Sequence, residues 1–362
     1  MVMRALKGFA AVLALLVTAF AVWVYASTHH PAAEEPAIIA GTDNAPLAPA
    51  GRALTVMSWN IQFLAGNRDN HFFYTGGTDP WPDLARTVTV ADEVAAVITD
   101  ADPDIVLLQE VDDGADRTHG RDQLAMLLDR LAGRYPVHTS AFYWKAAFVP
   151  HPAIMGRVGM KLTILSKYRL ENAVRHALPA ISSDDILRRQ FNMKRAVLTA
   201  DLPLEDGGRL HVMNAHLSAF AQGSDTMKRQ VAKVMSLIQS QEDTDTPWII
   251  GGDFNLLPSD GVYERMTADT RRDYNPAGTE LAPMMARFKA IPSLTAANGP
   301  DAALWFTHGP PDDPARAPDK TLDYLFYGGP LRLGDHGVLH DGTRLISDHL
   351  PVMAAFAVKT ER

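Results

Sequence analysis

The alternation of apolar and polar positions divides the chain into an N-terminal apolar stretch and a long region of short apolar segments. Residues 9–26 are apolar apart from Thr18, and Arg4 and Lys7 precede them. About 17–25 such residues cross a bilayer, whereas the apolar part of a signal peptide is usually shorter. The stretch predicts an uncleaved membrane anchor over residues 1–26 or, alternatively, a cleaved signal peptide. Both interpretations place the rest of the chain outside the cytoplasm, in a periplasmic or extracellular space.

The next segment, residues 27–51, is rich in Pro and Ala and has little periodic apolar pattern. Such a composition is typical of an extended, mobile tether. From Arg52 onward the sequence contains no further linker and no internal repeat. Residues 52–362 are therefore predicted to form one folded domain, near the upper end of single-domain sizes.

Short apolar runs and helical apolar spacings alternate within this domain. The runs predict strands at residues 54–59, 105–108, 162–165, 196–202, 210–216, 247–250, 322–327 and 351–358. The helical spacings predict helices over residues 82–100, 124–131 and 231–238. Several neighbouring strands are too close in sequence for helical crossovers. They predict antiparallel hairpins and two packed sheets with helices outside.

Polar side chains follow these apolar runs abruptly, where strands are predicted to end. They are Asn60, Glu110, Asn214, His216, Asp253, Asn255, Asp323, Asp348 and His349. Residues two apart in a strand share a face, so Asn214 with His216, and Asp253 with Asn255, are each expected to aim at one point. A single acid after a strand is more often a turn or cap residue, and only the whole set in this order indicates a site.

The residue types in this set suit hydrolysis assisted by a metal ion. Hard divalent cations prefer carboxylate and amide oxygens, and Glu110, Asp253 and Asp348 with Asn60 and Asn255 offer both. Histidines with carboxylate partners can handle protons. The chain has no cysteine, which excludes a thiolate zinc site and a cysteine nucleophile.

Seven short motifs resemble those of the endonuclease/exonuclease/phosphatase superfamily, in the order that this superfamily has them. They are Ser58-Trp59-Asn60-Ile61-Gln62, Leu107-Leu108-Gln109-Glu110-Val111, Leu162-Thr163-Ile164-Leu165-Ser166 after Gly159, Asn214-Ala215-His216-Leu217, Gly251-Gly252-Asp253-Phe254-Asn255, Leu322-Asp323-Tyr324 and Ser347-Asp348-His349-Leu350-Pro351. Deoxyribonucleases, abasic-site endonucleases, neutral sphingomyelinases and inositol-polyphosphate 5-phosphatases belong to it. The resemblance implies an α/β fold, a four-layered sandwich with two mixed sheets packed face to face and helices outside.

The resemblance also implies a metal site and its ligands. Glu110 would be the principal ligand of Mg²⁺ (or Mn²⁺), helped by Asn60 and Asp348. The metal would neutralise an anionic phosphoester while water attacks phosphorus.

The remaining roles implied by the resemblance concern water and protons. Asp253 and Asn255 would orient the attacking water and the phosphate. His349, oriented by Asp323, would be a general base or a phosphate-contacting histidine, and His216 would donate to a phosphate oxygen or the leaving group. Members of the superfamily divide the base role between the last histidine and the aspartate, so that His349 and Asp253 both stay open.

The sequence indicates the substrate less closely than it indicates the reaction. We expect a lipid phosphodiester, because a net charge of −8 disfavours attraction to a polyanion and an anchor holds the domain near headgroups. Aromatic segments at Phe72-Phe73-Tyr74 and Phe142-Tyr143-Trp144 are interpreted as loops that grip lipid or pack over the domain. In these features the chain looks more like the sphingomyelinase type and the related domain of a fungal cell-wall and GPI-anchor lipid-remodelling protein.

Two alternatives come from other functional classes. An exported or membrane-anchored nuclease acting on DNA or RNA would need a basic strip, which could be supplied by Arg68, Lys145, Arg157, Lys161, Lys228 and Arg229. A catalytically inactive binding domain would have lost a ligand or a histidine, and none is missing. We expect the protein to act as a monomer.

Overall fold

The computed structural model describes residues 2–42, 44–68, 81–219, 223–309 and 317–358. The helices of this part are α1 (Val2–Ser27), α2 (Leu84–Ala101), α3 (Gln123–Arg130), α4 (Ile186–Phe191), α5 (Thr226–Glu242), α6 (Asp260–Arg265), α7 (Ala268–Arg271), α8 (Ala282–Arg287) and α9 (Leu294–Asn298). The first strands are β1 (Glu34–Pro36), β2 (Ile39–Ala40), β3 (Ala53–Asn60), β4 (Ile105–Asp112), β5 (Val137–Val149), β6 (Gly156–Ser166) and β7 (Glu171–Ala177). The later strands are β8 (Ala196–Pro203), β9 (Arg209–His216), β10 (Trp248–Asp253), β11 (Lys289–Ile291), β12 (Asp323–Gly328), β13 (Leu331–Val338) and β14 (Val352–Val358).

Every strand and helix predicted from the apolar pattern is present, with small shifts at the ends. The prediction missed β5, β7 and β13, as well as the short strands. In β5 buried and partly exposed positions alternate, and the partly exposed ones include aromatic side chains that obscure the pattern. The interpretation of Phe142-Tyr143-Trp144 as a loop is therefore wrong. The segment at Phe72-Phe73-Tyr74 lies outside the described residues.

Among the described residues the strands form two seven-stranded sheets. Their orders are β1-β7-β8-β9-β10-β12-β11 and β13-β14-β3-β4-β6-β5-β2. Each sheet has a parallel pair at its centre, β9 with β10 and β3 with β4, among antiparallel neighbours. The carboxyl ends of these four central strands lie at the same edge of the molecule, where the polar residues were predicted to collect.

The hydrophobic core has three layers that define a four-layered sandwich. Between the sheets, Val56 and Leu107 of one sheet share a cluster with Val212 and Leu325 of the other. The outer face of the first sheet is covered by α2 and α3, and that of the second sheet by α5 and α8. The predicted α/β sandwich, with helices outside two mixed sheets, is confirmed.

Two consecutive glycines let β10 pass close to its neighbours just before Asp253. A Cβ on Gly251 would lie 2.7 Å from side-chain atoms of Leu107 and Leu325, and a Cβ on Gly252 would lie 1.9 Å from the carbonyl oxygen of Ala215. Side chains at these positions would push the sheets and strands apart. The glycines therefore fix how closely Asp253 approaches the opposite sheet.

The prediction of a mobile tether over residues 27–51 is wrong. The segment is extended, but β1 pairs with β7 and β2 pairs with β5, so it adds an edge strand to each sheet. Further on, Ala48 is fully buried and its N–H donates to the carbonyl of Pro203 at 3.0 Å. Edge strands offer unpaired backbone groups, and an extended Pro-containing segment can satisfy them without being a central strand.

The N-terminal helix α1 is long and apolar enough to cross a bilayer. Its side chains are almost all exposed, with Val24 as the buried exception. An exposed apolar helix of this kind is compatible with a membrane anchor or with a signal sequence. Its last turn joins the domain directly, because Thr28 pairs with Ala146 of β5.

Candidate active site

The carboxyl ends of the central strands bring four of the predicted site residues together. Asn60 ends β3, His216 ends β9 and Asp253 ends β10, while Glu110 lies near the end of β4. In the strand register, Asp253 is the partner of both His216 and Asp323. The site is therefore built from both sheets and lies across the gap between them.

A bulge in β4 aims Glu110 into this gap. The register of β4 against β6 shifts between Leu108 and Val111, and Glu110 has a left-handed backbone with φ of 57°. Its side chain is partly exposed although the strand around it is buried. Bulges beside active sites commonly redirect a side chain in this way, at a cost in backbone strain of about 1–3 kcal/mol.

Asp253 is the centre of the site. Its Oδ2 lies 3.2 Å from Nε2 of His216, 3.6 Å from Nε2 of His349 and 3.1 Å from Nδ2 of Asn60. Burial by itself would raise the pKa of Asp253, but the charges of His349 and His216, with a smaller effect of Arg195, outweigh it and hold the pKa well below its usual range. This carboxylate stays ionised.

His349 is held on its other side by a second carboxylate. Its Nδ1 lies 2.7 Å from Oδ2 of Asp323, and both residues are buried. Burial by itself would lower the pKa of His349, but Asp323 and Asp253 outweigh it and raise the pKa well above its ordinary value. Burial raises the pKa of Asp323 to about 6, with His349 opposing. At neutral pH the proton of this pair therefore resides on His349.

His216 has a different electrostatic environment. Burial lowers its pKa, and Arg195 acts in the same direction against Asp253. Its Nδ1 lies 3.2 Å from the phenol oxygen of Tyr143, and its Nε2 lies 4.0 Å from Oε1 of Glu110. The site thus places an imidazole with a raised pKa and one with a lowered pKa on either side of Asp253.

Asp348 and Asn60 are held by the turns that follow β3 and precede β14. The backbone N–H of Gln62 donates to Oδ1 of Asn60 at 3.0 Å, and the N–H of Asp348 donates to the side chain of Gln62 at 3.2 Å. Burial raises the pKa of Asp348 to about 7, His349 opposes this, and the negative charges of Glu110 and Asp253 add to it.

The donor set fits a hard divalent cation. Glu110, Asp348 and Asn60 offer oxygen atoms, and a cation would offset the burial of Asp348 and the nearby negative charges of Glu110 and Asp253. Among the described residues, two groups of side chains lie close enough to share an ion, namely His308, Asp348 and His349, and Asp253, Asp323 and His349. Both groups include His349, which Asp323 keeps protonated, so the oxygen set is the better candidate.

Asn255 does not lie in the strand with Asp253, contrary to the expectation from spacing. β10 ends at Asp253, and Asn255 adopts a left-handed conformation with φ of 52°. Its backbone N–H donates to Oδ1 of Asp253 at 2.9 Å, so it orients the carboxylate through its main chain. Asn214 does not reach the site either, since its Nδ2 donates to the carbonyls of Leu108 and Thr163 and so ties the two sheets together.

The structure adds residues to the site that sequence reasoning missed. Tyr143 is buried beneath His216, and the guanidinium of Arg195 lies 5.3 Å from the centre of the Tyr143 ring. The ring of His308 meets that of His349 edge to face, with centroids 4.6 Å apart. The sequence around these residues contains no local motif, so only their tertiary position reveals them.

Comparisons with known proteins find a matching family model and solved structures of similar fold. A sequence profile of the Endonuclease/Exonuclease/phosphatase family matches residues 57–349. Comparison with curated proteins finds no match.

Three solved structures illustrate the likeness in fold. An endonuclease/exonuclease/phosphatase from Beutenbergia cavernae DSM 12333 is 22% identical, with a TM-score of 0.59 over 85% of this chain and 72% of that chain. A family protein from Leptotrichia buccalis C-1013-b is 12% identical, with a TM-score of 0.54 over 84% of this chain and 99% of that one. One from Bacteroides vulgatus is 15% identical, with a TM-score of 0.51 over 85% and 99%.

Proposed function

The chain belongs to the endonuclease/exonuclease/phosphatase family, and from this premise we propose that it is a membrane-anchored hydrolase of lipid phosphodiesters. Members of the family are hydrolases, among them nucleases and phosphatases, and they depend on divalent metal ions. The observation that carries the proposal is Asp253, an ionised carboxylate between the imidazoles of His216 and His349 and beside Glu110.

The metal ion would be Mg²⁺ or Mn²⁺, held by Glu110 and Asp348 with help from Asn60. When bound, it would neutralise the negative charge of the phosphoester and so favour attack of water on phosphorus. These side chains provide oxygen donors without a thiolate, which suits a hard ion.

The proton chemistry falls to the residues around Asp253. Asp253 would orient the attacking water and accept its proton, with the backbone N–H of Asn255 keeping the carboxylate in position. His349, held protonated by Asp323, would stabilise the negative charge that develops on the phosphate. His216 would contact a phosphate oxygen or the leaving group from the other side.

Charge and anchoring favour a lipid substrate. A net charge of −8 disfavours attraction to nucleic acid. Four cations of the possible basic strip have acidic partners instead. Arg68 pairs with Glu93, Arg157 with Asp116, Lys161 with Asp113 and Arg229 with Asp225. The exposed apolar helix α1 favours a substrate that is itself in a membrane.

The test compares hydrolysis of sphingomyelin-containing phospholipid vesicles and of supercoiled plasmid by the full chain. We expect headgroup release with Mg²⁺ or Mn²⁺, loss in chelator, and a loss of at least about 100-fold in Glu110→Gln with the fold unchanged. Full activity in chelator would exclude the metal mechanism. Rapid plasmid nicking without headgroup release would favour a nuclease instead.

A further inference from the structure

The end of α1 is fixed to one edge of the domain. Thr28 pairs with Ala146 of β5, and the N–H of His29 donates to the carbonyl of Lys145 at 2.8 Å. Eight positions earlier in the helix, the ring of Phe20 lies edge-on against Phe148, with centroids 5.7 Å apart. Followed back from Thr28 toward its N-terminus, the helix therefore lies alongside the end of β5 and approaches the turn that joins β5 to β6.

This contact sets the depth of the turn relative to a bilayer that α1 would span. Phe20 lies about 9 Å along the helix axis from the end of the apolar stretch at Ala26, at about 1.5 Å per residue. Phe148 and the turn after it would then reach the level of the adjacent lipid leaflet. The turn carries an apolar side chain for this level, Met155, which is 59% exposed.

A second element at the same edge, α4, exposes apolar side chains. Ile186 is 87% exposed and Leu187 is 72% exposed, although both are large and apolar. The far end of α4 is anchored, because Phe191 packs in the small cluster that contains Val149, and its carbonyl accepts a hydrogen bond of 2.7 Å from Nε1 of Trp144. The helix is thus firmly attached while its first turn points its apolar residues at solvent.

The charged residues next to Ile186 and Leu187 are of the kind found where a protein meets the headgroups of a bilayer. Arg188 and Arg189 follow directly, and long basic side chains can reach headgroups from such a position. Asp184 and Asp185 precede the pair, and Asp185 caps the helix by accepting from the N–H of Arg188. The local charges nearly cancel, so apolar contact rather than attraction to anionic lipid would hold α4 to the membrane.

We propose that Ile186, Leu187 and Met155 form a bilayer-docking face beside α1. The inference rests on the proposed function, since it takes α1 to be a membrane anchor. Docking would bring the active site near the headgroups, because the segment after α4 reaches it directly. The N–H of Lys194 donates to the carbonyl of Tyr143, and Arg195 lies over the Tyr143 ring whose phenol contacts His216.

The experiment uses the absence of cysteine from the chain to attach one environment-sensitive fluorophore. Leu187→Cys in the full chain is labelled, reconstituted in phosphatidylcholine vesicles, and exposed to quenchers carried on lipid acyl chains. The matched control is Leu304→Cys, a leucine 63% exposed beside β13, at the other end of the sheet order from β5. We expect a blue shift and strong lipid quenching at position 187, and neither at position 304.

Equal quenching at the two positions would overturn the docking face. So would a blue shift at position 187 that depends on protein concentration in detergent and not on lipid, because the face would then bind a second copy of the chain. Labelling does not require hydrolysis. Lipid quenching in a chain that hydrolyses nothing would therefore contradict the proposed function and leave the docking face standing.

A second variant tests the same face through activity. Ile186→Glu with Leu187→Glu replaces exposed side chains, so the thermal unfolding temperature should stay unchanged. We expect slower release of lipid headgroups with no change in hydrolysis of a soluble phosphodiester. Equal activity of variant and native protein on vesicles would contradict the proposal.

Discussion

At the scale of single residues, the contact between Asp323 and His349 distinguishes the two imidazoles of the site, because it raises the pKa of His349 while burial lowers that of His216. The Asp323 carboxylate lies 2.7 Å from Nδ1 of His349, and the pair is shielded from water. An aspartate in this position fixes the tautomer of the ring and stabilises its protonated form. His216 has a phenol in the equivalent place, which supplies no such charge.

Asp323→Asn should lower the turnover rate about 10²–10⁴-fold, because His349 loses the group that orients it and holds its charge. Steady-state kinetics on the substrate identified by the vesicle and plasmid comparison measure the effect, and circular dichroism checks the fold. A variant with native turnover would show that His349 works without its carboxylate.

A second contact between an aspartate and a histidine lies far from the site and serves as a matched comparison. Asp201 of β8 faces His211 of β9, with Oδ1 and Nδ1 2.6 Å apart, and also accepts a hydrogen bond from Asn172 at 3.0 Å. Burial would raise the pKa of Asp201, but the hydrogen bonds from His211 and Asn172 lower it below 3.8. Stability from this carboxylate is therefore complete above that ordinary value and is lost as the pH falls through the lower folded value.

Asp201→Asn should consequently reduce the free energy of unfolding by about 1 kcal/mol at neutral pH while leaving turnover unchanged. The difference from the native protein should shrink below about pH 4, where the unfolded carboxylate takes up a proton. Urea unfolding of both proteins at neutral pH and below about pH 4 measures this difference in the free energy of unfolding. A difference that stays constant with pH would mean that the charge of Asp201 does not contribute.

At the scale of elements, the segment before the domain behaves as part of both sheets. β1 and β2 close the exposed edges of β7 and β5, and the N–H of Glu205 donates to the carbonyl of Ala48 at 2.9 Å. Such pairing satisfies backbone groups that would otherwise face water or another chain.

Truncation separates this contribution from that of the anchor. A chain beginning at Thr28 should unfold at nearly the temperature of the full chain in detergent, whereas a chain beginning at Arg52 should unfold at least about 5 °C lower. Differential scanning calorimetry gives both temperatures. If the two truncated chains unfold at the same temperature, the edge strands add no stability, and residues 27–51 would act only as a tether.

At the scale of the whole molecule, α1 and the charges before it predict the topology. Arg4 and Lys7 should stay in the cytoplasm and place the domain across the membrane. A reporter fused after Arg362 should be active only if it works outside the cytoplasm. Replacing Arg4 and Lys7 with Gln should reduce correctly oriented protein, and a reporter active in the cytoplasm for the native chain would reverse the prediction.

Much of the fold and part of the site follow from the sequence alone. Central strands that are buried on both faces need continuous apolar runs, and such runs in the sequence predict β3, β4, β9 and β10. Because the polar residues begin where these runs stop, the grouping of Asn60, Glu110, His216 and Asp253 at one edge could be predicted.

Other features were decided only in three dimensions. The sequence around Glu110 contains no signal for its bulge, and the hydrogen bonds of β1 and β2 depend on which edges are free. Tyr143 lies beneath His216 because β5 pairs with β6 in one register, and a register is a property of two strands. An apolar pattern is a local property that can be read from the sequence. The charge on His349 and the pairing of edge strands depend instead on atoms that the fold brings together from distant positions.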